Sequence, residues 1–481
     1  MAINVLEAEI TNQATSLDTN HFAELQAELR GTLLKPPDAD YEAARRIWNG
    51  MIDRRPAAIA RCVGSADVMA AVRFARKHRL PLAVRGGGHN VAGRSICDDG
   101  LVIDLSQMRS VHVDQSRSVV KVAGGALLGD IDRATQPFGL AVPMGAVSET
   151  GIAGLALHGG FGFLTRRYGL TADNLVAADV VTADGSLITV DETNHPDLFW
   201  ALKGGGGNFG VVTSFEFQLH PVGPEVYFML TFYPAAAAAQ IYDFFRTHMS
   251  DAPDELMAIV VWENAPAEEF IPEEYQGEPV MIVAGCWCGP LAEGEQATQP
   301  LRQIVTPVAD LSGPLAYVEA QQVFDPDYPA GDRYYWKSLY LDTLSDDLIR
   351  LACEAGATRP TPRTGLVLWA LGGAMARISP EATPFYHRDA PFLLSIEAVD
   401  DKPTTDEENI AWVRNWYDKA AQLTRAGTYF NFGGFWEGGE EMLAQSFGSN
   451  YRRLQAVKAR YDPENLLNHN LQIPANGEAA T

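Results

Sequence analysis

The residues with the clearest potential for chemistry form the stretch RGGGHN at residues 85–90, which follows a short apolar run at residues 80–84. The apolar run predicts a buried strand. Consecutive glycines let the backbone turn and approach a ligand with no side chain in between. The neutral ring of His89 carries a nucleophilic nitrogen near neutral pH. Bare amides and one imidazole at the same place favour an anionic or electron-poor cofactor, although a glycine-rich turn with a surface histidine has the same pattern.

Two further glycine-rich stretches lie at residues 145–162 and 204–210. The glycines of the first are too dense to be explained by turns alone, which suggests backbone wrapped closely around a ligand. The second contains a G-x-G-x-x-G pattern, but a helix is predicted before it and a strand after it. A dinucleotide-binding fingerprint requires the opposite order, and a P-loop requires Gly-Lys-Ser/Thr. The amides of such a loop can still bind a pyrophosphate.

The elements that must position these loops change in character near residue 219. Before it, short predicted strands alternate with helices, an α/β or α+β pattern, and residues 40–49 with Trp48 are predicted to form one of the helices. After it, prolines and aromatic residues become frequent, and apolar runs predict an antiparallel sheet with helices over one face. The predicted strands include residues 227–232, 257–262 and 392–398, and the predicted helices include residues 235–246, 346–354 and 407–423.

The composition limits the class of protein and its partners. With 481 residues and 47% hydrophobic content, the chain is long enough for two or three domains. Acidic residues outnumber basic ones by 61 to 37, which argues against nucleic acid or an anionic membrane as a partner. No apolar run reaches membrane-spanning length, and the first residues lack the pattern of a signal peptide. Five cysteines and no cluster with metal-ligand spacing predict a cytoplasmic protein without a disulfide framework or a bound metal.

Several motifs, taken together and in order, carry a resemblance to a known family. They are RGGGH at residues 85–89, GIAG at 151–154, YGLTADN at 168–174, the run 197–210 and YDPENL at 461–466. Over nearly its whole length the chain resembles the berberine bridge enzyme-like branch of the vanillyl-alcohol-oxidase flavoproteins, and among them the bacterial oxidases that link their flavin through one histidine. The resemblance implies an α+β fold: a PCMH-type FAD-binding domain of two α+β subdomains at residues 1–218 (core about 52–220), a substrate domain at 219–425 with an antiparallel sheet covered by helices, and a C-terminal segment at 426–481 that returns to the FAD domain.

The same resemblance implies that FAD is the cofactor and that a ring nitrogen of His89 is joined to the 8α-methyl group of its isoalloxazine ring. Many members add a second bond, from a cysteine four residues before the glycine that matches Gly151. Val147 occupies that position here, so a singly attached flavin is expected. His158 stands where a glycine is usual, and its expected role is a hydrogen bond to the cofactor or packing, with acid/base chemistry as an alternative. The other positions expected to contact the cofactor are Arg85, Gly86, Gly87, Gly88, Asn90, Val147, Thr150, Gly151, Gly154, Gly159, Asn208, Gly210, Val211, Tyr429, Asn431 and Asn470.

The catalytic positions include one departure from the family. Thr150 matches the position that controls oxygen access, and its small β-branched side chain favours an oxidase over a dehydrogenase. Phe432 follows Tyr429-Phe430-Asn431, where many relatives have a tyrosine that takes the substrate proton. Either no strong base is needed, as in the oxidation of a neutral amine, or another group supplies it. The candidates are Glu397, Tyr429 and Tyr335; the alternative for Glu397 is that it faces solvent or pairs with an arginine.

These expectations combine into an FAD-dependent oxidase. It would take hydride from a carbon next to nitrogen or oxygen of a cyclic amine, alcohol or sugar, with flavin N5 as acceptor, and oxygen would reoxidise the flavin to give hydrogen peroxide. The alternatives are a dehydrogenase that uses another electron acceptor and a flavin-binding protein without turnover. The expected partners are the small substrate and oxygen, and the expected state is a monomer or homodimer. Trp262, Trp287, Trp336, Trp369 and Trp436 suit a flat apolar ligand or the core.

Overall fold

The computed structural model describes residues 19–425, 427–435 and 437–475, so that Trp436 and the outer ends of the first and last predicted domains lie outside it. The described chain forms a four-stranded sheet, a five-stranded sheet, an eight-stranded sheet and a two-stranded pair, with helices between and around them. This arrangement confirms the α+β class. None of the helices in these parts of the chain has the length and apolar character needed to cross a membrane.

The first part of the chain builds the two smaller sheets. Its elements are α1 (Thr19–Glu28), β1 (Thr32–Leu34), α2 (Tyr41–Ala44), β2 (Ala58–Arg61), α3 (Ser65–His78), β3 (Leu82–Arg85), β4 (Leu101–Asp104), β5 (Val111–Asp114), β6 (Val119–Ala123), α4 (Leu128–Thr135), β7 (Leu140–Ala141), α5 (Ile152–Leu157), α6 (Thr165–Tyr168), β8 (Leu175–Val181), β9 (Leu187–Val190), α7 (Pro196–Leu202), β10 (Val211–Gln218) and β11 (His220–Pro221). The four-stranded sheet has the order β1-β2-β4-β3, with β4 parallel to both β2 and β3. The five-stranded sheet has the order β5-β6-β10-β8-β9 and is antiparallel.

The middle of the chain builds the eight-stranded sheet, called the large sheet below. Its elements are β12 (Glu225–Pro234), α8 (Ala238–Ser250), β13 (Leu256–Asn264), β14 (Pro279–Trp287), α9 (Leu291–Arg302), β15 (Ala309–Asp310), β16 (Gly313–Ala316), α10 (Tyr317–Ala320), β17 (Arg333–Leu341), α11 (Asp346–Ala357), β18 (Gly365–Ala370), β19 (Phe392–Asp400) and α12 (Asp406–Ala421). The strand order is β15-β12-β14-β13-β18-β19-β17, with β16 also on β12, and all pairs are antiparallel.

The two faces of the large sheet pack differently because side chains alternate along each strand. One face forms an apolar core with α8, α11 and α12, to which Val260 and Leu368 contribute. The other face contributes Ile259, Val367 and Leu393 to a core that includes Phe161 and Phe163 from the first part of the chain. The large sheet therefore turns this second face toward the glycine-rich loops.

The C-terminal segment adds α13 (Gly439–Phe447) and α14 (Tyr451–Tyr461), and α14 packs on α7. A fully buried ion pair, Lys458 with Asp462, fixes its end. The Lys458 ammonium also donates hydrogen bonds to the carbonyls of Asn208 (2.9 Å) and Leu467 (3.0 Å), while Asp462 accepts from the N–H groups of Leu466 and Leu467, both at 2.8 Å. The YDPENL motif thus ties the chain end to the glycine-rich loop at residues 204–210.

Replacing Lys458 by alanine should destabilise the protein by about 3–5 kcal/mol, because removal of one partner leaves a buried, unpaired carboxylate at Asp462. The measurement is the free energy of unfolding in urea, together with the thermal midpoint. Arg460→Ala is the matched control, since Arg460 on the same helix pairs with Asp197 at the surface, and a much smaller change is expected there. Equal losses in the two variants would contradict this assignment.

The prediction of a helix over residues 40–49 is wrong beyond the first turn, because α2 ends at Ala44. The carbonyl of Ala44 accepts a hydrogen bond from the guanidinium of Arg85, and the N–H of Trp48 donates to the carbonyl of Gly88 at 3.2 Å. In a continuous helix the N–H of Trp48 would donate to the carbonyl of Ala44, so these two contacts replace the hydrogen bond that would have extended the helix. The chain leaves the helix and carries Trp48 to the RGGGHN stretch.

Candidate active site

One cavity lies between the glycine-rich loops and the second face of the large sheet. Its wall on one side comes from residues 86–90, from the segment around α5 and from the start of β10. The other side comes from β13, β17, β18 and β19, and from residues 429–432. The positions expected to contact the cofactor that line this cavity are Gly86, Gly87, Gly88, His89, Asn90, Val147, Thr150, Gly151, Gly154, His158, Gly210, Val211, Tyr429, Asn431 and Asn470.

Two of the glycine loops form the wall because their backbones pack directly against each other. A Cβ atom at Gly87 would lie 2.5 Å from the nitrogen of Gly151, and one at Gly151 would lie 2.3 Å from the nitrogen of Gly87. Gly88, the next residue, has φ +73°, a conformation that side chains disfavour. Only glycine therefore allows these segments to present bare backbone to the cavity.

The ring of His89 is held between the cavity and a stack of aromatic rings. It stacks on Trp48 with 4.0 Å between centroids and 20° between planes, and Trp48 stacks on Tyr334 at 3.6 Å. Its Nε2 atom is buried and has no hydrogen-bond partner among the residues that the structure describes. Burial lowers the pKa of His89 to about 4, so the ring is neutral at pH 7. A fixed, neutral imidazole with a free nitrogen has the form that a covalent bond to a cofactor requires.

Arg85, Gly159 and Asn208 do not line the cavity, and their contacts explain why. The guanidinium of Arg85 pairs with the buried carboxylate of Asp104, with its shorter contact at 2.6 Å. A Cβ at Gly159 would lie 2.7 Å from the ring of Phe385. The Asn208 side chain donates to the carbonyl of Gly205 at 2.9 Å and accepts from the N–H of Leu471 at 3.2 Å. These three residues support the backbone around the cavity instead.

His158 lines the cavity with its ring anchored at one nitrogen. Nδ1 lies 2.9 Å from the carbonyl of Gly154, and because a carbonyl only accepts, Nδ1 carries the proton. Burial lowers the pKa of His158, so the ring is neutral. Its Nε2 is then an acceptor, which suits a hydroxyl donor better than a phosphate.

Glu397 on β19 faces the same cavity from the large sheet. The carboxyl is buried, at 5% exposure, and it forms no ion pair with any residue of the described chain. Tyr328 donates a hydrogen bond from its hydroxyl to Oε2 of Glu397 at 3.0 Å. Burial raises the pKa of Glu397 to about 7. Glu397 therefore neither faces solvent nor pairs with an arginine, the two alternatives that the sequence left open.

The other two candidate bases differ from Glu397 in placement or in protonation. Tyr335 lies on the opposite face of β17, where its hydroxyl donates to Glu437 at 2.6 Å. It therefore does not face the cavity and cannot act as the base there. Tyr429 lines the cavity and its hydroxyl accepts a hydrogen bond from the Asn431 amide at 2.8 Å. Burial raises the pKa of Tyr429 far above its usual range, so it stays a neutral phenol. Phe432 packs edge-on against Tyr429, with 5.0 Å between ring centroids.

Four residues of the site were missed by sequence reasoning. Trp48 carries the His89 ring, Tyr328 binds Glu397, and Glu263 and Asp327 add two more carboxyl groups to the cavity wall. Glu263 could have been found, since Ile259, Val261 and Glu263 alternate on β13 and share one face. Asp327 and Tyr328 lie at the end of a short helical turn in a connection, where no regular alternation of side chains indicates which of them faces the cavity.

The residues present fit a large flavin cofactor. Backbone from two glycine loops faces the cavity, and the free Nε2 of His89 and the buried, unpartnered hydroxyl of Ser95 both line it. Within the described ranges, no group of His, Cys, Asp and Glu side chains has the arrangement of a metal site. The fold and the cavity are those of a flavin-binding protein.

Comparisons with known proteins agree with this class. A family model described as an FAD binding domain matches residues 56–191, and one described as berberine and berberine like matches residues 428–474. The chain is 31% identical over 464 residues to (R)-6-hydroxynicotine oxidase of Paenarthrobacter nicotinovorans, covering 93% of this chain and 98% of that protein. It is 28% identical over 447 residues to chitooligosaccharide oxidase of Gibberella zeae, covering 87% of each. The crystal structure of 6-hydroxy-D-nicotine oxidase from Arthrobacter nicotinovorans superposes with a TM-score of 0.83 at 29% identity, covering 93% of this chain and 98% of that one.

The protein is therefore an FAD-binding oxidoreductase. The chain belongs to the berberine bridge enzyme-like family of FAD-linked oxidoreductases.

Proposed function

We propose that the protein is an oxidase that removes hydride from a carbon bonded to nitrogen or oxygen in a small organic molecule, with oxygen as the final electron acceptor. The observation that carries this proposal is the placement of Glu397, a buried carboxyl bound to Tyr328, in the same cavity as the free nitrogen of His89. Two relatives support the reaction type, since one is named as an oxidase of 6-hydroxynicotine and the other as an oxidase of chitooligosaccharides.

We assign covalent attachment of the cofactor to His89, through its free ring nitrogen. The backbone of the loops around Gly87 and Gly151, with His158 as an acceptor, would hold the rest of the molecule. Val147 cannot form a second bond, because its side chain has no nucleophilic atom. When bound, FAD accepts hydride and passes the electrons to oxygen, which gives hydrogen peroxide.

Glu397 is the group we assign as base. Above a pH of about 7 it is a carboxylate and can accept the proton of a substrate hydroxyl or ammonium. The hydroxyl of Tyr328 holds the carboxylate in place with its hydrogen bond. Phe432, Trp369 and Phe161 line the cavity with apolar rings and exclude water from it.

Thr150 leaves room for oxygen, because it lines the cavity with a short side chain next to Gly151. Thr150→Leu should slow the reaction of the reduced enzyme with oxygen by about tenfold, which corresponds to about 1.4 kcal/mol of barrier. Stopped-flow absorbance measures the two half-reactions separately. Thr150→Val is the matched control, since valine has nearly the shape of threonine. If Thr150→Leu slowed anaerobic reduction by substrate as much as reoxidation, its side chain would obstruct the substrate and not oxygen.

The experiment that tests the proposal mixes the purified holoenzyme with a panel of cyclic amines, alcohols and sugars, first without oxygen and then in air. Bleaching of the flavin absorbance by one class, recovery in air and formation of hydrogen peroxide are expected. Bleaching that persists in air but reverses with an artificial acceptor would identify a dehydrogenase. A flavin that no panel member reduces would overturn the proposal in favour of a binding protein.

A further inference from the structure

The substrate side of the cavity carries a row of acidic side chains across the large sheet. Gly365 on β18 lies opposite Glu397 on β19, and Trp262 on β13 lies opposite Leu366. In an antiparallel pair one residue forward on one strand lies opposite one residue back on the other, so Glu263 lies opposite Gly365. Gly365 thus has Glu263 on the β13 side and Glu397 on the β19 side. Glu263 and Glu397 therefore flank a glycine in the same row, with no side chain between them, and both line the cavity.

Asp327 adds a third carboxyl group to the same wall. Burial, and then the nearby Asp327, raise the pKa of Glu263, and burial also raises the pKa of Asp327. The three groups are held close enough for their charges to repel, in a place where water screens them poorly. Such an arrangement favours either bound protons or a bound cation.

No cation of the protein occupies this place in the described chain. Arg363 pairs with Asp332 and donates to the backbone carbonyl of Asp327 at 3.0 Å, but it forms no ion pair with the carboxyl groups of Asp327 or Glu263. Arg359 donates to the carbonyls of Gly356, Pro362 and Thr364, each at 3.0 Å. The charges of both arginines lower the pKa of Glu263 and so partly offset the repulsion there, but neither arginine forms an ion pair with Glu263.

Two indole groups give an independent sign of a ligand at this wall. Trp336, which lies opposite Glu397 on β17, and Trp369 on β18 are 6% and 8% exposed and line the cavity. Their Nε1 atoms are buried, and neither has a hydrogen-bond partner among the described residues. A buried N–H group normally has an acceptor, so an atom of the ligand is expected to supply one. A metal ion does not fit, because these carboxyl groups lack the arrangement of a metal site in the described ranges.

We propose that Glu263 and Asp327, beside Glu397, bind a cationic nitrogen of the substrate that lies apart from the carbon losing hydride. This inference rests on the proposed oxidase and names its substrate class, an organic cation with an apolar body. The charged nitrogen is not the reacting one, because an ammonium has no lone pair to assist the loss of hydride from its neighbour. The apolar body lies on Val261, Val367 and Trp369, which continue the cavity wall away from the acidic row. From Glu263 to Ile259 on the same face the strand extends about 13 Å, enough for one ring and a short chain.

The first test needs no turnover and uses the holoenzyme with two probes of equal shape. Phenyltrimethylammonium is a cation that cannot be deprotonated, and tert-butylbenzene is its neutral counterpart. Shifts of the flavin absorbance and of the thermal midpoint report binding of each probe. We expect the cation to bind at least about tenfold more tightly, the range of a hydrogen-bonded or paired charge. Equal affinity for both probes would overturn the inference without any variant being made.

The second test assigns the effect to the two new residues. Glu263→Gln and Asp327→Asn should each weaken binding of the cation by about tenfold and leave tert-butylbenzene within about threefold. Glu274→Gln, an exposed carboxylate outside the cavity, is the matched control and should change neither. Thermal midpoints verify that each variant is folded. Unchanged cation binding in both cavity variants would also overturn the inference.

A proton measurement follows from the raised pKa values. Glu263, Asp327 and Glu397 titrate in this cavity, and Tyr328, Arg359 and Arg363 are the other charged or titratable groups that act on them. A cation favours the ionised carboxylates, so its binding should release protons near pH 7 and strengthen as pH rises. If cations bind but no panel substrate reduces the flavin, the acidic subsite stands and the oxidase proposal fails. If neutral and cationic substrates reduce it equally well, the oxidase stands and the subsite fails.

Discussion

Replacing His89 by alanine should abolish the acid-stable attachment of flavin to the protein. In the wild type we expect the yellow colour to remain with the acid-precipitated pellet and the flavin fluorescence to stay with the denatured chain on a gel. In His89→Ala both should move to the supernatant, because the Nε2 atom that lacks a partner is gone. The glycine loops do not depend on this ring, so dissociable FAD should still bind.

The control for His89 is His158, another neutral histidine of the cavity. His158→Ala should keep the flavin in the pellet, because the His158 ring is hydrogen-bonded to the carbonyl of Gly154 and to Asn470 and lacks the unpartnered buried nitrogen of His89. Comparison of the two variants shows whether loss of acid-stable flavin is specific to His89 or follows the removal of either histidine from the cavity. Acid-stable flavin in His89→Ala would show that another residue forms the bond, and the role assigned to the Trp48–His89 stack would have to be given up.

The glycine loops and His89 could be predicted from the sequence because their information is local. A run of glycines after an apolar strand lets the backbone approach a ligand or another segment closely. The backbones of Gly87 and Gly151 are indeed so close that a Cβ atom on either would lie 2.3–2.5 Å from the backbone nitrogen of the other. The antiparallel sheet was also predictable, since residues 227–232, 257–262 and 392–398 fall within β12, β13 and β19. A short apolar run with β-branched residues needs no distant partner to indicate a strand.

The meeting of Glu263 and Glu397 in one row could not be predicted, because it depends on the register between strands. Glu263, Gly365 and Glu397 are separated by long stretches of chain, and only the pairing of three strands puts them in one row. The alternation of β17 likewise has two possible phases, so the sequence could not tell whether Tyr335 or Trp336 faces the cavity. The helix that was expected to contain Trp48 ended early because Arg85 and Gly88 bind its backbone groups, which is a tertiary effect.

Glu397→Gln should lower kcat/KM for alcohol substrates by about 10²–10⁴-fold, the usual contribution of a positioned base. Glutamine keeps the shape and can still accept the hydrogen bond from Tyr328, but it cannot take a proton. For an amine that is already neutral, the loss should be much smaller, since hydride can leave without proton transfer in the same step. The ratio of the two losses, measured with one alcohol and one amine, therefore reports whether this carboxyl acts as a base.

The pH dependence gives the same residue a second signature. Because the carboxylate is the active form, kcat/KM of the wild type should rise with pH to a plateau above about pH 7, and Glu397→Gln should lose this rise. Tyr328→Phe removes the hydrogen bond that favours the ionised carboxyl, so it should move the rise to higher pH and keep the plateau.

Stability provides the control against a folding defect. The folded state holds the Glu397 proton more tightly than the unfolded chain does. At low pH this group therefore does not lower the free energy of unfolding, but it lowers it progressively as pH rises from about 4.5 through about 7. Glu397→Gln avoids that cost, and its thermal midpoint relative to the wild type should rise across the same interval. A variant that is at least as stable at pH 8 but inactive on alcohols would establish a chemical role for Glu397. Full alcohol activity with an unchanged pH profile would require another base in this cavity.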